Sequence, residues 1–215
     1  MRILVTAGAT REPLDEVRFL SNVSTGATGA ALADALAARG HAVTLWRGEG
    51  AATPRTVTDV ETFSSAADLL ARLTRQLGAG AFDAVIMTAA VADYRPDKAQ
   101  GGKISSDTDA IVVRLVRNPK LLPLLKSLSP RPLVVVGFKL TVGADAEARR
   151  VAVAQQWTAG GVDATVQNDL HEIRAAAVHP FHLWCDPTGE PERIDGVPAL
   201  AETLDRLLQQ KAEDK

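Results

Sequence analysis

Short, uninterrupted apolar runs alternate with amphipathic stretches along most of this chain. Residues 3–7 (Ile-Leu-Val-Thr-Ala), 42–46, 83–88 and 133–138 carry the pattern of strands buried on both faces, as in a parallel sheet. An Ala-rich helix is expected over 24–39, with Ser24 or Thr25 as its cap and Gly40 as its stop. A second helix, 65–77, lines up Leu69, Leu70, Leu73 and Leu77 and ends at Gly78 and Gly80. Residues 56–60 predict a further strand, 144–159 a helix, and 163–166 and 178–184 two late strands. Residues 187–198 read as a surface loop. Leu200, Leu204, Leu207 and Leu208 stripe a C-terminal helix whose tail, 211–215, should fray.

Strands alternating with helices predict an α/β fold: a mostly parallel sheet with helices on both faces and right-handed crossovers. Ligands of such sheets sit beyond the carboxyl ends of the strands, here Gly8, Ala89-Ala90, Phe138-Lys139 and Asn168-Asp169. The first strand runs into Gly8, and the first helix opens after Ser24-Thr25-Gly26. Both leave backbone N–H groups facing one crevice, where a phosphate is favoured by the helix dipole. The spacing is not G-x-G-x-x-G, and no acidic residue closes the strand 42–46, so a nicotinamide-dependent reductase is disfavoured. A long excursion, 89–131, interrupts the alternation. It holds a bend at Gly101-Gly102, an alternating strand at 110–116, and a short helix capped by Asn118 with Pro119 in its first turn. The chain reads as one domain, 1–215.

Several side chains at these places have two readings. Asp93, after Ala89-Ala90-Val91-Ala92, either accepts from a ribose or nucleobase or caps a turn. Lys103, beyond the Gly pair, either neutralises phosphate or is a solvated lysine. Phe138 is a base-stacking platform or core, and Asn168-Asp169 caps a turn or lines the crevice. His41, His171, His179 and His182 lack metal-ligand spacing, and no metal ligand set is expected.

Composition narrows the class. Apolar residues make up 46% and charged residues 23%, as in a globular protein, and the net charge of −2 with no basic stripe argues against nucleic-acid binding. The single Cys185 leaves no internal disulfide, which fits a reducing compartment. No apolar run nears the roughly 18 residues of a membrane span. The first strand begins at the N-terminus and leaves no room for a signal peptide, so a cytoplasmic location is expected.

Taken in order, Thr10-Arg11-Glu12, Ser21-Asn22-Val23-Ser24-Thr25-Gly26, Ala89-Ala90-Val91-Ala92-Asp93-Tyr94, Lys103-Ile104-Ser105-Ser106, Gly137-Phe138-Lys139-Leu140 and Gln167-Asn168-Asp169-Leu170 resemble the phosphopantothenate–cysteine ligase family, in its short free-standing bacterial form. The resemblance implies a Rossmann-like homodimer, the small excursion strand serving in dimerisation. It implies a reaction in which CTP or ATP, with Mg²⁺, activates the carboxylate of 4′-phosphopantothenate and cysteine then displaces the nucleotide. It also implies catalytic roles for Asn22 and Lys103. Nucleotide contacts are implied at Gly8, Met87, Thr88, Ala89, Asp93, Lys103, Pro119, Lys120, Leu121, Leu122 and Phe138, and substrate contacts at Ser24, Thr25, Gly26 and Ala90. An unpaired strand at 110–116 would be covered by the second copy.

The chain departs from that family's pattern at Ala27-Thr28, at Thr141-Val142-Gly143, and at Gln156 and Gly160, where relatives supply phosphate-binding lysines. Arg149, Arg150 or Lys139 are the candidates to replace them. The alternative expectation is a catalytically silent relative that binds a nucleotide or a phosphopantetheine-like ligand.

Overall fold

The protein is described by a computed structural model covering residues 1–107 and 109–213. In chain order its elements are β1 (Arg2–Ala7), β2 (Arg11–Pro13), β3 (Phe19–Ser21), α1 (Ala27–Ala37), β4 (Ala42–Gly48), β5 (Val60–Phe63) and α2 (Ala66–Gly78). Then come β6 (Ala84–Met87), β7 (Tyr94–Pro96), β8 (Leu115–Arg117), a 3₁₀ turn (Leu122–Leu124), α3 (Leu125–Leu128), β9 (Val134–Thr141) and α4 (Ala146–Thr158). The chain closes with β10 (Ala164–Asp169), α5 (Leu170–Ala175), β11 (Pro180–Trp184), β12 (Glu192–Asp195) and α6 (Val197–Glu213).

Eight strands form one sheet in the order β12-β11-β10-β9-β6-β1-β4-β5. The six from β10 to β5 are parallel, and β11 and β12 continue the sheet antiparallel. Strand alternation splits the apolar side chains between two layers. Ile3 and Val5 of β1, Ile86 of β6 and Val136 of β9 pack with Leu32 and Leu36 of α1 and Leu204 and Leu208 of α6. Leu4, Val85 and Val135 pack on the other face with Leu69, Leu73 and Leu77 of α2 and Leu125 of α3. The sheet reverses its order of winding between β1 and β6, which opens a crevice beyond their carboxyl ends. Among the described residues no helix is long and apolar enough to cross a membrane.

Several local expectations are corrected. The first helix begins at Ala27, because Gly26 adopts φ 73° and no cap side chain bonds the helix; Thr25 Oγ1 only accepts from the Ala27 amide at 3.3 Å. The strand expected at 56–60 lies at Val60–Phe63, since pairing with β4 starts at Leu45↔Val60, and residues 55–57 are held by Asp34 instead. Asn118 caps nothing. It is buried, its Nδ2 donates to the Ala92 carbonyl at 2.9 Å, and the helical turn starts later.

The strand expected over 110–116 shrinks to Leu115–Arg117, and it pairs with Tyr94–Pro96 of its own chain rather than lying unpartnered. Residues 187–198, expected as a loop, contain β12 and the start of α6; Ile194, 4% exposed, is the apolar residue that seats this edge strand. The expected frayed tail remains helical through Glu213, and Asp214 and Lys215 lie outside the described residues. β4 runs two residues past Trp46, so Glu49 does follow its end, where it pairs with Arg11 at 3.3 Å. Only the glycine spacing then separates this crevice from a dinucleotide-binding one.

Candidate active-site crevice

The crevice is built from backbone before any side chain. Gly8 ends β1 at φ 77°, and a Cβ there would meet Ala51 Cβ at 2.5 Å. Its carbonyl accepts from the Ala90 amide at 2.8 Å, and the Thr10 amide donates to the Ala90 carbonyl at 3.3 Å. The loop after β6 is thereby zipped onto the loop after β1. Thr88 Oγ1 donates to the Thr6 carbonyl at 2.5 Å, and the Ala92 amide donates to Thr10 Oγ1 at 3.0 Å. On the far side the Asn118 amide donates to the Asp93 carbonyl at 2.9 Å. Residues 88–93 are fixed along their whole length.

Above this floor stands the N-terminus of α1. Gly29 packs so closely that a Cβ would lie 2.4 Å from Thr88 Oγ1 and 2.6 Å from Ala7 Cβ. The first intrahelical bond runs from the Ala30 amide to the Gly26 carbonyl at 3.0 Å, leaving earlier amides at the crevice. The resulting cavity, about 200 Å³, is lined by Val23 to Gly29, Thr88, Ala89, Ala90, Phe138, Leu140 and Asn168. Among the described residues no lysine or arginine lines it. An anion there is met by amides and the helix dipole.

The structure brings together Ser24, Thr25, Gly26, Thr88, Ala89, Ala90 and Phe138 on this cavity, with Gly8 beneath. Asn22 follows β3 and precedes the lining residue Val23 but does not itself line the cavity; it is exposed, with Nδ2 donating to the Val91 carbonyl at 3.3 Å. Asp93 lies on the neighbouring surface, exposed, with Oδ1 2.5 Å from Lys120 Nζ. Other expected residues are not on the cavity. Met87 and Leu121 are 5% and 3% exposed and belong to the core under α2, with Leu122 packed beside them, so only their backbone can reach a ligand. Pro119 and Lys120 are exposed on the Asp93 side. Lys103 is exposed on a segment bonded to the β2–β3 hairpin.

The places without lysines are also explained. Gln156 bridges two strands: Nε2 donates to the Phe138 carbonyl at 3.2 Å, and Oε1 accepts from Thr165 Oγ1 at 2.7 Å. Two of the three candidate replacements are committed elsewhere, while Lys139, half-buried in β9, does not line the cavity among the described residues. Arg149 pairs with Glu172 at 2.7 Å, and Arg150 with Glu190 at 2.7 Å and over the Trp184 ring.

Asp169, fully buried at the end of β10, accepts from Thr141 Oγ1 at 2.7 Å and from the amides of Gly143, Ala144 and His171 at 2.9–3.0 Å. Burial opposes its charge, but these donors outweigh burial and hold it well below the usual carboxylate range. It caps α5 and shapes the rim; its neighbour Asn168 is the one that lines the cavity. His179 stacks on Phe181 and His182 bonds Glu172, and among the described residues no group of three His, Cys, Asp or Glu could hold a metal.

Thr28, Gly29, Val23 and Leu140 also line the cavity and were not singled out from sequence. The spacing of Gly26 and Gly29, one helical turn apart, was the available signal for the first two. Asp15 was missed as well. It is a buried carboxylate in the turn between β2 and β3, and nothing in a Leu-Asp-Glu string marks it.

Fold and crevice together define an open α/β protein with a crevice at the switch point of its parallel sheet. Residues 1–180 match the family model described as "DNA/pantothenate metabolism flavoprotein C-terminal domain", and the chain belongs to that family. It is 34% identical over 169 residues to the coenzyme A biosynthesis bifunctional protein CoaBC of Thermococcus kodakarensis, a match covering 79% of this chain and 41% of that protein. The chain spans less than half the length of this relative. Among solved structures, the DNA/pantothenate metabolism flavoprotein from Streptococcus pneumoniae superposes with a TM-score of 0.85 at 25% identity, covering 98% of this chain and 99% of that one. The C-terminal domain of a CoaBC protein superposes at 0.77 and 26% identity, covering 100% and 96%.

Proposed function

We propose that this chain is a ligase joining 4′-phosphopantothenate to cysteine by way of an acyl-nucleotide, as a step of coenzyme A assembly. The observation that carries the reading is the Asn22 carboxamide, bonded to the Val91 carbonyl and next in sequence to the residues 23–29 that line the crevice at the α1 N-terminus. The family and the CoaBC relatives point the same way. In the first step a carboxylate oxygen attacks the α-phosphorus of CTP or ATP, and pyrophosphate leaves. In the second the cysteine amine attacks the acyl carbon, and the nucleoside monophosphate leaves.

The cavity is below the roughly 300–1,000 Å³ of sites that enclose a whole ligand. It fits the phosphate end of one substrate, with the nucleoside lying outside it toward Asp93. Asp93, whose Oδ1 accepts from Lys120, keeps Oδ2 for a ribose or nucleobase, and Phe138, partly buried against the core, is among the residues that line the cavity. In this reading the Nδ2–H of Asn22 that is not given to the Val91 carbonyl would donate to the oxyanion developing on the bound acyl group, a contact worth about 10²–10³ in rate. Mg²⁺ would accompany the triphosphate, held by phosphate oxygens and water, and would supply charge neutralisation at the phosphates.

The reading includes a homodimer in the cytoplasm. Phe19, Leu20, Tyr94, Ile111, Val112 and Leu115 are exposed on and beside the two small hairpins, an apolar surface that a second copy would cover.

The test is pyrophosphate release with 4′-phosphopantothenate, cysteine, Mg²⁺ and either CTP or ATP. Wild type is expected to turn over with one nucleotide, and Asn22→Ala to lose about 10²–10³ in kcat with KM little changed. Silence with both nucleotides sinks the ligase. A second reading, a silent relative that only binds, is favoured by one observation: among the described residues the cavity has no lysine or arginine, and Arg149 and Arg150 are engaged with glutamates.

A further inference from the structure

Lys103 follows a glycine pair in a segment with neither helix nor strand, yet the backbone around it is tied down. Gly102 takes φ 74° there. The ties all come from the turn between β2 and β3. The Asp15 side chain is fully buried, and its Oδ2 accepts from the Ile104 amide at 3.0 Å, across 89 residues of chain. Arg18 Nη1 donates to the Ile104 carbonyl at 3.1 Å and to Asp15 Oδ2 at 3.2 Å. The Glu16 amide donates to the Gly102 carbonyl at 3.2 Å, and the Gln100 amide to the Leu14 carbonyl at 2.9 Å.

The Gly102 carbonyl belongs to the peptide entering Lys103, and the Ile104 amide to the peptide leaving it. Both planes that set the direction of the Lys103 side chain are therefore held by one turn. The hairpin that carries the turn is itself anchored: Glu12 Oε1 accepts from the Ala66 amide at 2.9 Å, and Ser21 Oγ donates to the Thr10 carbonyl at 2.8 Å. Its last strand leads directly into Asn22.

We propose that Asp15 is a positioning residue, which holds Lys103 in a fixed relation to Asn22 by clamping the peptide between Lys103 and Ile104. The proposal rests on the ligase reading for the role of Lys103, and on geometry alone for the clamp. Oδ1 of Asp15 already satisfies the turn through the amides of Val17 at 2.9 Å and Arg18 at 2.7 Å, so the bond to Ile104 is additional to what the turn needs. The Ile104 amide is also the largest influence keeping the Asp15 carboxyl below its usual range, ahead of the burial that opposes it. A lysine on a loose backbone would spend most of its time misplaced; pinning both flanking peptides fixes the Cα–Cβ direction and removes the backbone's share of that freedom before substrate binds.

Asp15→Asn keeps the shape but sets an NH₂ against the Ile104 N–H. In the full chain, amide exchange over residues 103–106 should quicken about tenfold or more. Turnover should drop about 10–100-fold, as expected for a misplaced catalytic group. In a Lys103→Ala background, Asp15→Asn should cost no further activity. Ile104→Pro, which deletes the donor and leaves Asp15 and the hairpin intact, should repeat the loss and quicken exchange at Ser105 and Ser106, and serves if Asp15→Asn does not fold. Unchanged exchange in either variant overturns the clamp. Activity losses that multiply between Asp15→Asn and Lys103→Ala overturn the positioning role. A wild-type protein with no turnover removes the ligase reading, and the exchange data then decide the clamp on their own.

Discussion

Lys120 Nζ donates to Asp93 Oδ1 at 2.5 Å, and both side chains are mostly solvent-exposed. An exposed pair of this kind contributes about 0–1 kcal/mol to stability. Asp93 therefore has little structural work, although its backbone is firmly held by Asn118.

Asp93→Asn should shift unfolding by no more than about 1 kcal/mol while weakening CTP or ATP about tenfold, by loss of a charged acceptor. Calorimetric titration beside a urea melt separates the two effects. Unchanged nucleotide affinity would remove Asp93 from the site.

At the helix N-terminus the expectation is steric. A Cβ at Gly29 would lie 2.4 Å from Thr88 Oγ1 and 2.6 Å from Ala7 Cβ, atoms held in the sheet. Gly29→Ala must push α1 off the crevice, costing about 1–3 kcal/mol. Binding of 4′-phosphopantothenate, followed by titration at a temperature where the variant stays folded, should fall with it. A variant of full stability and affinity would show that the helix gives way freely.

Asp169 gives a pH prediction with a definite sign. Its folded pKa is depressed, so its stabilisation is complete above the unfolded value near 4 and fades as pH falls below it. Asp169→Asn should lose about 2–4 kcal/mol at pH 7, because buried amides of Gly143, Ala144 and His171 lose a charged acceptor. Denaturant melts at pH 7 and pH 3 should show the gap to wild type narrowing at the lower pH. A constant gap would mean that packing, not charge, is what Asp169 supplies.

The legible parts of the fold were those written in local pattern. The apolar runs of β1, β4, β6 and β9 are surrounded by protein on both faces, so nearly every position must be apolar and the signal survives in one dimension. β12 escaped notice because an edge strand needs one buried anchor, Ile194, and tolerates Glu192, Arg193 and Asp195 around it. The strand at 60–63 was misplaced because its register is set by Leu45↔Val60 pairing, not by its own residues. Asn118 carried a helix-cap signature, but a carbonyl 26 residues earlier, that of Ala92, takes its amide instead.

For the site the division is similar. Gly8, Gly26 and the small residues after β6 were readable as a place where backbone meets an anion, because only small residues permit that approach, and Gly the positive φ at Gly8 and Gly26. Which side chains stand over that place was not readable. Met87 and Leu121 point into the core, Gln156 braces two strands, and Arg149 and Arg150 face glutamates, all by decision of packing.

Sequence by itself determined the parallel core of the sheet, the main helices and an amide-lined crevice beyond the strand ends, since these follow from periodicity and from glycine's conformational range. Only the tertiary structure decided that Asp15 grips the peptide next to Lys103. A hydrogen bond between residues 89 apart leaves no trace in the local order of either segment.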